Sequence, residues 1–184
     1  MNQRLHNLFG TDGIRATIGT SPFTQKDLIT LGRALAHWAQ QKYHKPQPHI
    51  LMLHDTRISC SWVKACLKTG LLGSSVKLYD AHVLPTPGAS VLMQEYSLLA
   101  SIDCAFIISA SHNPFDDNGI KILDHSGKLS ARDEQAITHL FYTHAESDEP
   151  DVSGQALAKT DYRMLGKEVM FNNAESLYCA KIAS

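Results

Sequence analysis

Cys104-Ala-Phe-Ile-Ile-Ser-Ala-Ser-His-Asn-Pro114 sets an unbroken apolar run against a loop of hydroxyls, one imidazole and a proline. Continuous apolar residues without alternation suit a strand covered on both faces, and Asn113-Pro114 favours a turn directly after it. Upstream, Ile50 to Leu53 repeats the pattern and runs into His54-Asp55-Thr56-Arg57. Val76 to Tyr79 reads as another strand, leading to Pro85-Thr86-Pro87, and Ile120 to Leu123 as a fourth, shorter one.

Between these runs the apolar spacing turns helical. Leu28, Leu31, Leu35 and Trp38 share one stripe, with Thr24 and Asp27 as a capping box and Phe23 facing Leu28 as a staple. This predicts a helix over about residues 25–43, ended before Pro46 and Pro48. Trp62, Val63, Cys66, Leu67 and Leu71 predict a second helix, closed at Gly73. Thr86 followed by Pro87 predicts a third, running to about Tyr96. Ser130 with Asp133 caps a fourth, carrying Ile137, Leu140 and Phe141. Repeated strand–helix units imply a largely parallel sheet with helices on both faces, a three-layer α/β/α fold. Residues 146–154 turn polar and read as a linker. The expected organisation is one domain over residues 1–155, with 156–184 a linker and the start of a segment leading onward.

The 184 residues carry 17 Lys and Arg against 18 Asp and Glu, a net charge of −1. Phosphate backbones demand clustered cations, so this balance argues against nucleic acid as a partner. No secretory leader or long apolar span is visible, so membrane insertion is not expected either. Cys60, Cys66, Cys104 and Cys179 are scattered without metal-ligand spacing. The expected location is the cytoplasm.

Ligands of open α/β sheets collect at the carboxyl ends of the strands. Three polar loops leave strands at that edge, and a fourth polar element, Gly10-Thr11-Asp12-Gly13-Ile14-Arg15, stands near the start of the chain. Ser111 offers a hydroxyl, His112 a base, and Lys121 lies just past an Asn118-Gly119 turn able to fold it back toward Ser111. Serine beside a base is the logic of nucleophilic catalysis. Each loop taken alone reads equally as an ordinary polar turn; their meeting at one sheet edge favours a site.

Phe9-Gly-Thr-Asp-Gly-Ile-Arg15, Asp55-Thr-Arg-Ile-Ser59, Pro85-Thr-Pro87 and Ile108-Ser-Ala-Ser-His-Asn-Pro-Phe-Asp-Asp-Asn-Gly-Ile-Lys121 occur in the order and spacing of a known family. Together they resemble the first domain of the α-D-phosphohexomutases, over nearly the whole chain. The wording is most similar to the branch that interconverts glucosamine 6-phosphate and glucosamine 1-phosphate through a bisphosphorylated sugar; phosphomannose and phosphoglucose enzymes are the alternatives, as is a stand-alone phospholigand- or partner-binding domain. The resemblance implies a mixed, mostly parallel sheet and a hexose or hexosamine phosphate substrate. It implies a phosphoryl group on Ser111 rather than Ser109, and Mg²⁺ held through that phosphate.

By the same resemblance, His112, Lys121 and Arg15 line the reacting centre, supported by Thr11, Asp12, Arg57 and Asn113. Lys121 and His112 both stand as candidate proton carriers, while Arg15 suits phosphoryl charge. Ala16, His54 and Cys60 depart from the family pattern, His54 standing where a Lys or Arg is usual. Family members carry four domains, and their Asp-Gly-Asp-x-Asp metal loop is absent here. The chain is therefore expected to be inactive alone, with the remaining metal ligands in domain 2 and its partners domains 2–4.

Overall fold

The computed structural model describes residues 6–95, 101–147 and 162–184. Its centre is a mixed sheet of seven strands. In chain order these are β1 (Ile14–Thr17), β2 (His49–His54), β3 (Lys77–Val83), β4 (Cys104–Ile108), β5 (Asp117–Asp124), β6 (Gly127–Lys128) and β7 (Lys167–Met170). They lie in the spatial order β1-β5-β4-β2-β3-β7, with β6 on β5. Strand β2 runs parallel to β3 and β4, and β3 parallel to β7. Strand β5 returns antiparallel beside β4, and β1 pairs antiparallel with β5.

The helices are α1 (Gln25–Tyr43), α2 (Cys60–Leu72), α3 (Pro87–Glu95), α4 (Ala131–Ser147) and α5 (Ala174–Ile182). Strand side chains alternate between two cores, as a pleat requires. Ile50, Met52, Leu78, Cys104, Phe106 and Ile108 join Leu28, Leu31, Leu35, Trp38, Leu67 and Phe141 of α1, α2 and α4. Leu51, Leu53, Tyr79, Ala105 and Ile107 join Ala89 and Leu92 of α3, with Phe171 and Ala174. This is the expected three-layer α/β/α arrangement with a mixed, mostly parallel sheet.

Helix α1 begins as its sequence dictates. Thr24 lies in extended backbone and its hydroxyl accepts the Asp27 N–H at 3.1 Å, the reciprocal satisfaction an N-terminus needs. Phe23 and Leu28 are both fully buried. One member of the predicted α2 stripe differs. Trp62 stays 39% exposed, because the inward face runs Cys60, Val63, Leu67 and Leu71, and one residue's rotation from Val63 turns the indole away.

Asn118-Gly119, expected as a turn, lies inside β5; the turn falls at Phe115 and Asp116 instead. Two forces recruit the dipeptide into the sheet. Arg15 and Ala16 of β1 pair with Gly119 and Asn118, and the buried Asn118 amide is satisfied by Ser59 Oγ at 2.8 Å and Cys60 Sγ at 3.4 Å. Gly119 has no room for more: a Cβ there would lie 2.6 Å from the Ser109 carbonyl oxygen. Strands β1 and β7 and helix α5 had no counterpart in the sequence reading. Residues 167–182, expected to lead away, add a strand beside β3 and a helix against α3. The expected linker falls largely within residues 148–161, outside the described residues.

Candidate active site

Strand β4 ends at Ile108 and β5 comes back beside it, with Ile107 opposite Lys121. That antiparallel return carries Lys121 to the loop left behind, where its Nζ donates to Ser111 Oγ at 2.8 Å. The strand pairing brings the two groups together, in place of the turn at Asn118-Gly119. Ser111 itself sits in the left-handed region, φ 55°, a conformation that costs a non-glycine residue about 1 kcal/mol or more. Its surroundings therefore have to hold it.

They do so from both sides. The Ser111 N–H donates to Ser109 Oγ at 3.0 Å. The Ser111 carbonyl accepts from Arg57 Nη2 at 2.9 Å, and the same guanidinium donates to the carbonyls of Asn113, Pro114 and Asp117 at 2.8, 2.5 and 3.1 Å. Arg57 thus reads the loop's backbone with its planar fork. Ser109, the tempting alternative nucleophile, is only 5% exposed and faces inward as a bridge.

Arg15 reaches the same loop from β1. Its Nη1 donates to Asn113 Oδ1 at 2.9 Å, and its Nη2 lies 3.3 Å from Asp12. Asn113 in turn donates to Asp117 at 3.1 Å, and Thr17 donates to the other Asp117 oxygen at 2.8 Å. These two hydrogen bonds, from Thr17 first, hold the Asp117 carboxyl below its usual range. Gly10 to Gly13 closes as a tight turn, the Gly10 N–H bonding the Gly13 carbonyl at 2.9 Å. Thr11 offers its carbonyl to Lys128 at 2.7 Å. Thr11, Asp12, Lys121 and Lys128 line a cavity of about 200 Å³ on that side.

His112 is exposed and makes no hydrogen bond among the described residues. A second, wider cavity of about 480 Å³ opens on the loop's other side, lined by Asp55, Arg57, Ser111 and Asn113, with Ile58 and Phe115 beside them. The last two are 93% and 85% exposed.

The family's usual cation before Asp55 is His54 here. Its ring sits between the Asp55 carbonyl, 2.8 Å from Nδ1, and Lys64 Nζ, 3.2 Å from Nε2. The tautomer with hydrogen on Nδ1 meets both contacts, donating to the carbonyl and accepting from the ammonium. Lys64, also paired with buried Asp80 at 3.0 Å, brings a cation beside the position that lacks one.

Two site residues escaped the sequence reading as members of the site. Ser109, set aside as a nucleophile, accepts the Ser111 N–H, and Asp55, outside the residues the resemblance implies, bonds Arg57. Among the described residues no group of three His, Cys, Asp or Glu side chains is gathered to hold a metal ion. Mg²⁺ takes near-octahedral oxygen coordination, and the nearest strand carboxylate, Asp117, already spends its oxygens on Thr17 and Asn113. The donors of the described residues do not fit Mg²⁺ by themselves.

A hydroxyl held by a lysine past a strand end, in a loop bonded by two arginines, on a three-layer sheet defines a class. The chain belongs to the phosphoglucomutase/phosphomannomutase family, its residues 6–148 matching that family's α/β/α domain I. It is 35% identical to the phosphoglucosamine mutase of Koribacter versatilis, over 86% of this chain and 33% of that protein. It is likewise 35% identical to the phosphoglucosamine mutase of Thermodesulfovibrio yellowstonii, over 96% of this chain and 36% of that one. Among solved structures, a phosphoglucomutase/phosphomannomutase family protein of Burkholderia thailandensis superposes with TM-score 0.67 at 19% identity, covering 92% of this chain and 34% of that chain. The chain thus spans about a third of the length of the curated relatives it matches. No helix among the described residues is long and apolar enough to cross a membrane.

Proposed function

We propose that this chain is the phosphoserine-bearing domain of a phosphoglucosamine mutase, interconverting glucosamine 6-phosphate and glucosamine 1-phosphate through a bisphosphorylated sugar. The observation that carries the reading is the 2.8 Å contact from Lys121 Nζ to Ser111 Oγ. When a phosphoryl group leaves Ser111, negative charge develops on Oγ, and Lys121 is in place to protonate it. In the reverse direction the amine takes that proton back as Oγ attacks. Arg15 supplies fixed positive charge beside the moving phosphoryl. His112, with no partner among the described residues, is free to meet the sugar hydroxyl rather than the serine.

The glucosamine assignment rests on the names of the relatives; a phosphomannose or phosphoglucose substrate is the second reading, favoured by the family description. Mg²⁺, implied by the resemblance, would be held through the Ser111 phosphoryl group and would offset its charge, with its other ligands outside the described residues. The chain alone turns nothing over, because the groups that bind the sugar and complete the metal shell are supplied by further domains. The reaction belongs in the cytoplasm, where free thiols such as Cys60, Cys66, Cys104 and Cys179 persist.

Ser111→Ala in the complete mutase tests the reading. The expected outcome is an unchanged fold and loss of nearly all turnover in a coupled sugar-phosphate assay. Turnover within tenfold of the parent overturns it. Glucosamine, mannose and glucose phosphates compared in the same assay decide the sugar.

A further inference from the structure

We propose that Asp55 is the positioning residue of the Ser111 loop, fixing the backbone on both sides of Ser111 through Ser109 and Arg57 and so setting where Oγ meets Lys121. Ser111 occupies its left-handed conformation with φ 55°, and each flanking peptide group is bonded to a side chain rather than to a strand. The N–H side is held by Ser109 Oγ, the carbonyl side by Arg57 Nη2. Both of these side chains converge on one carboxylate. Ser109 Oγ, which accepts the Ser111 N–H, has its own proton to give, and Asp55 is the carboxylate that Ser109 helps hold below its usual range. Arg57 donates its backbone N–H to Asp55 Oδ1 at 2.9 Å and brings Nε to within 3.4 Å of Oδ2. Asp55 lines the wider cavity but makes no bond to Ser111; it acts on the Ser111 backbone through its two partners.

The carboxylate is itself over-determined. The Cys60 thiol donates to Oδ1 at 3.0 Å, and burial, with Asp55 close by, pushes that thiol up to about 11, so it stays a donor at neutral pH. The Asp55 N–H is tied to the Ile108 carbonyl at 3.0 Å, which registers the loop against the end of β4. Burial raises the Asp55 carboxyl, but the hydrogen bonds from Cys60, Arg57 and Ser109 and the Arg57 charge outweigh it, leaving the group below its usual range. The groups facing it are the Arg57 guanidinium from its own loop, the Cys60 thiol from the start of α2, and Ser109 from the end of β4. The His54 ring lies next along the chain, bonded to the Asp55 carbonyl.

The consequence for catalysis rests on reading Ser111 as the phosphoryl carrier; the coupling of Asp55 to the Ser111 backbone does not. Amide ¹H–¹⁵N spectra of this chain, titrated from pH 6 to pH 2.5, read that coupling directly. Expected is a common midpoint for the Arg57, Ser109 and Ser111 amides, below the usual carboxylate value of about 3.9. Asp117, bonded to Asn113, titrates in the same loop, so the assignment is made by variants. Asp55→Asn removes the common midpoint and speeds exchange of the Ser111 amide at least tenfold, while the amides of Leu35 and Ile50 keep their protection. Ser109→Ala uncouples Ser111 from the midpoint and leaves Arg57 coupled.

A Ser111 amide that titrates and exchanges in Asp55→Asn as in the parent overturns the proposal. Should Asp55→Asn not fold, Ser109→Ala decides, and continued titration of Ser111 with the Arg57 midpoint overturns it. A phosphoryl group found on Ser109 would overturn the functional reading and leave these titrations as they are.

Discussion

The proposed function asks Lys121 to move a proton, not merely to carry charge. Lys121→Arg keeps the cation and its reach toward Ser111 Oγ, but arginine does not release its proton near neutral pH. Turnover of the complete mutase should fall on the order of 10²-fold, the usual size of a general acid–base contribution, with the KM for sugar phosphate little changed. Steady-state kinetics of that variant would instead show near-parent turnover if Lys121 served only as electrostatic support. At this scale the sequence exposed the reacting groups, since Ser111, Lys121 and Arg15 sit in a specific motif. Asp55 and Ser109 were not legible as supports. Their own bonds are short in sequence, and the bonds that tie them to the loop from afar are made by the Arg57 guanidinium to the carbonyls of Ser111, Asn113, Pro114 and Asp117, which no spacing rule marks. The structure sets Lys121 against Ser111 Oγ through the register of β5 on β4; whether it or His112 carries the proton is what the Lys121→Arg variant reads.

The helices divide into those that fold from local signals and those that depend on neighbours. Helices α1 and α4 follow their Thr24 and Ser130 caps, α2 its apolar stripe and α3 its leading proline, and all four were visible in the sequence. Strand β1 and strand β7 were not: Ile14-Arg-Ala-Thr17 and Lys167-Glu-Val-Met170 hold no apolar run, and they become strands because β5 and β3 offer open edges. Tight contact between α1 and α2 carries a prediction. A Cβ on Gly70 would lie 2.0 Å from the Ile29 carbonyl oxygen and 2.8 Å from the Arg33 nitrogen, so the helices must separate. Gly70→Ala should cost about 3 kcal/mol, the range for overpacking a filled interior, read as a lowered urea midpoint. An unchanged midpoint would mean the helices do not cross this closely.

A second element-scale prediction concerns the end of α1. Lys42 Nζ bonds Asp124 at 2.7 Å and Asp133 at 2.8 Å. Burial raises both carboxyls, but their hydrogen bonds, Lys42 foremost, outweigh it and hold them below the usual range. Burial lowers Lys42, and its two carboxylate partners reverse this to a net rise. The sign of the pH dependence follows. The depressed carboxyls contribute stability above their unfolded value near 3.9 and lose it as pH falls below; the raised lysine contributes below about 10.5 and loses it as pH rises above. Urea midpoints should therefore form a plateau between those limits, and Lys42→Met should lower the plateau and blunt both shoulders. A Lys42→Met profile that tracks the parent at every pH would show that this network does not contribute.

As a whole molecule, the chain presents one sheet edge where four loops meet: Gly10–Arg15, Asp55–Ser59, the turn before α3, and Ser109–Asp116. Its three-layer class, its largely parallel strands and the position of that edge were readable from the order of apolar runs and loops; that the sheet is mixed came with the family resemblance. The packing of residues 167–182 onto the same sheet was not, because that segment has too few apolar residues to announce a core of its own. Since the chain covers about a third of its relatives, the account turns on which atom of this domain carries the phosphoryl group. Phosphopeptide mapping of the complete, turning-over mutase tests that most directly. The account predicts the phosphoryl group on Ser111, with Ser109 and Ser59 bare; a phosphoryl group on Ser109 or Ser59 with Ser111 bare would contradict it.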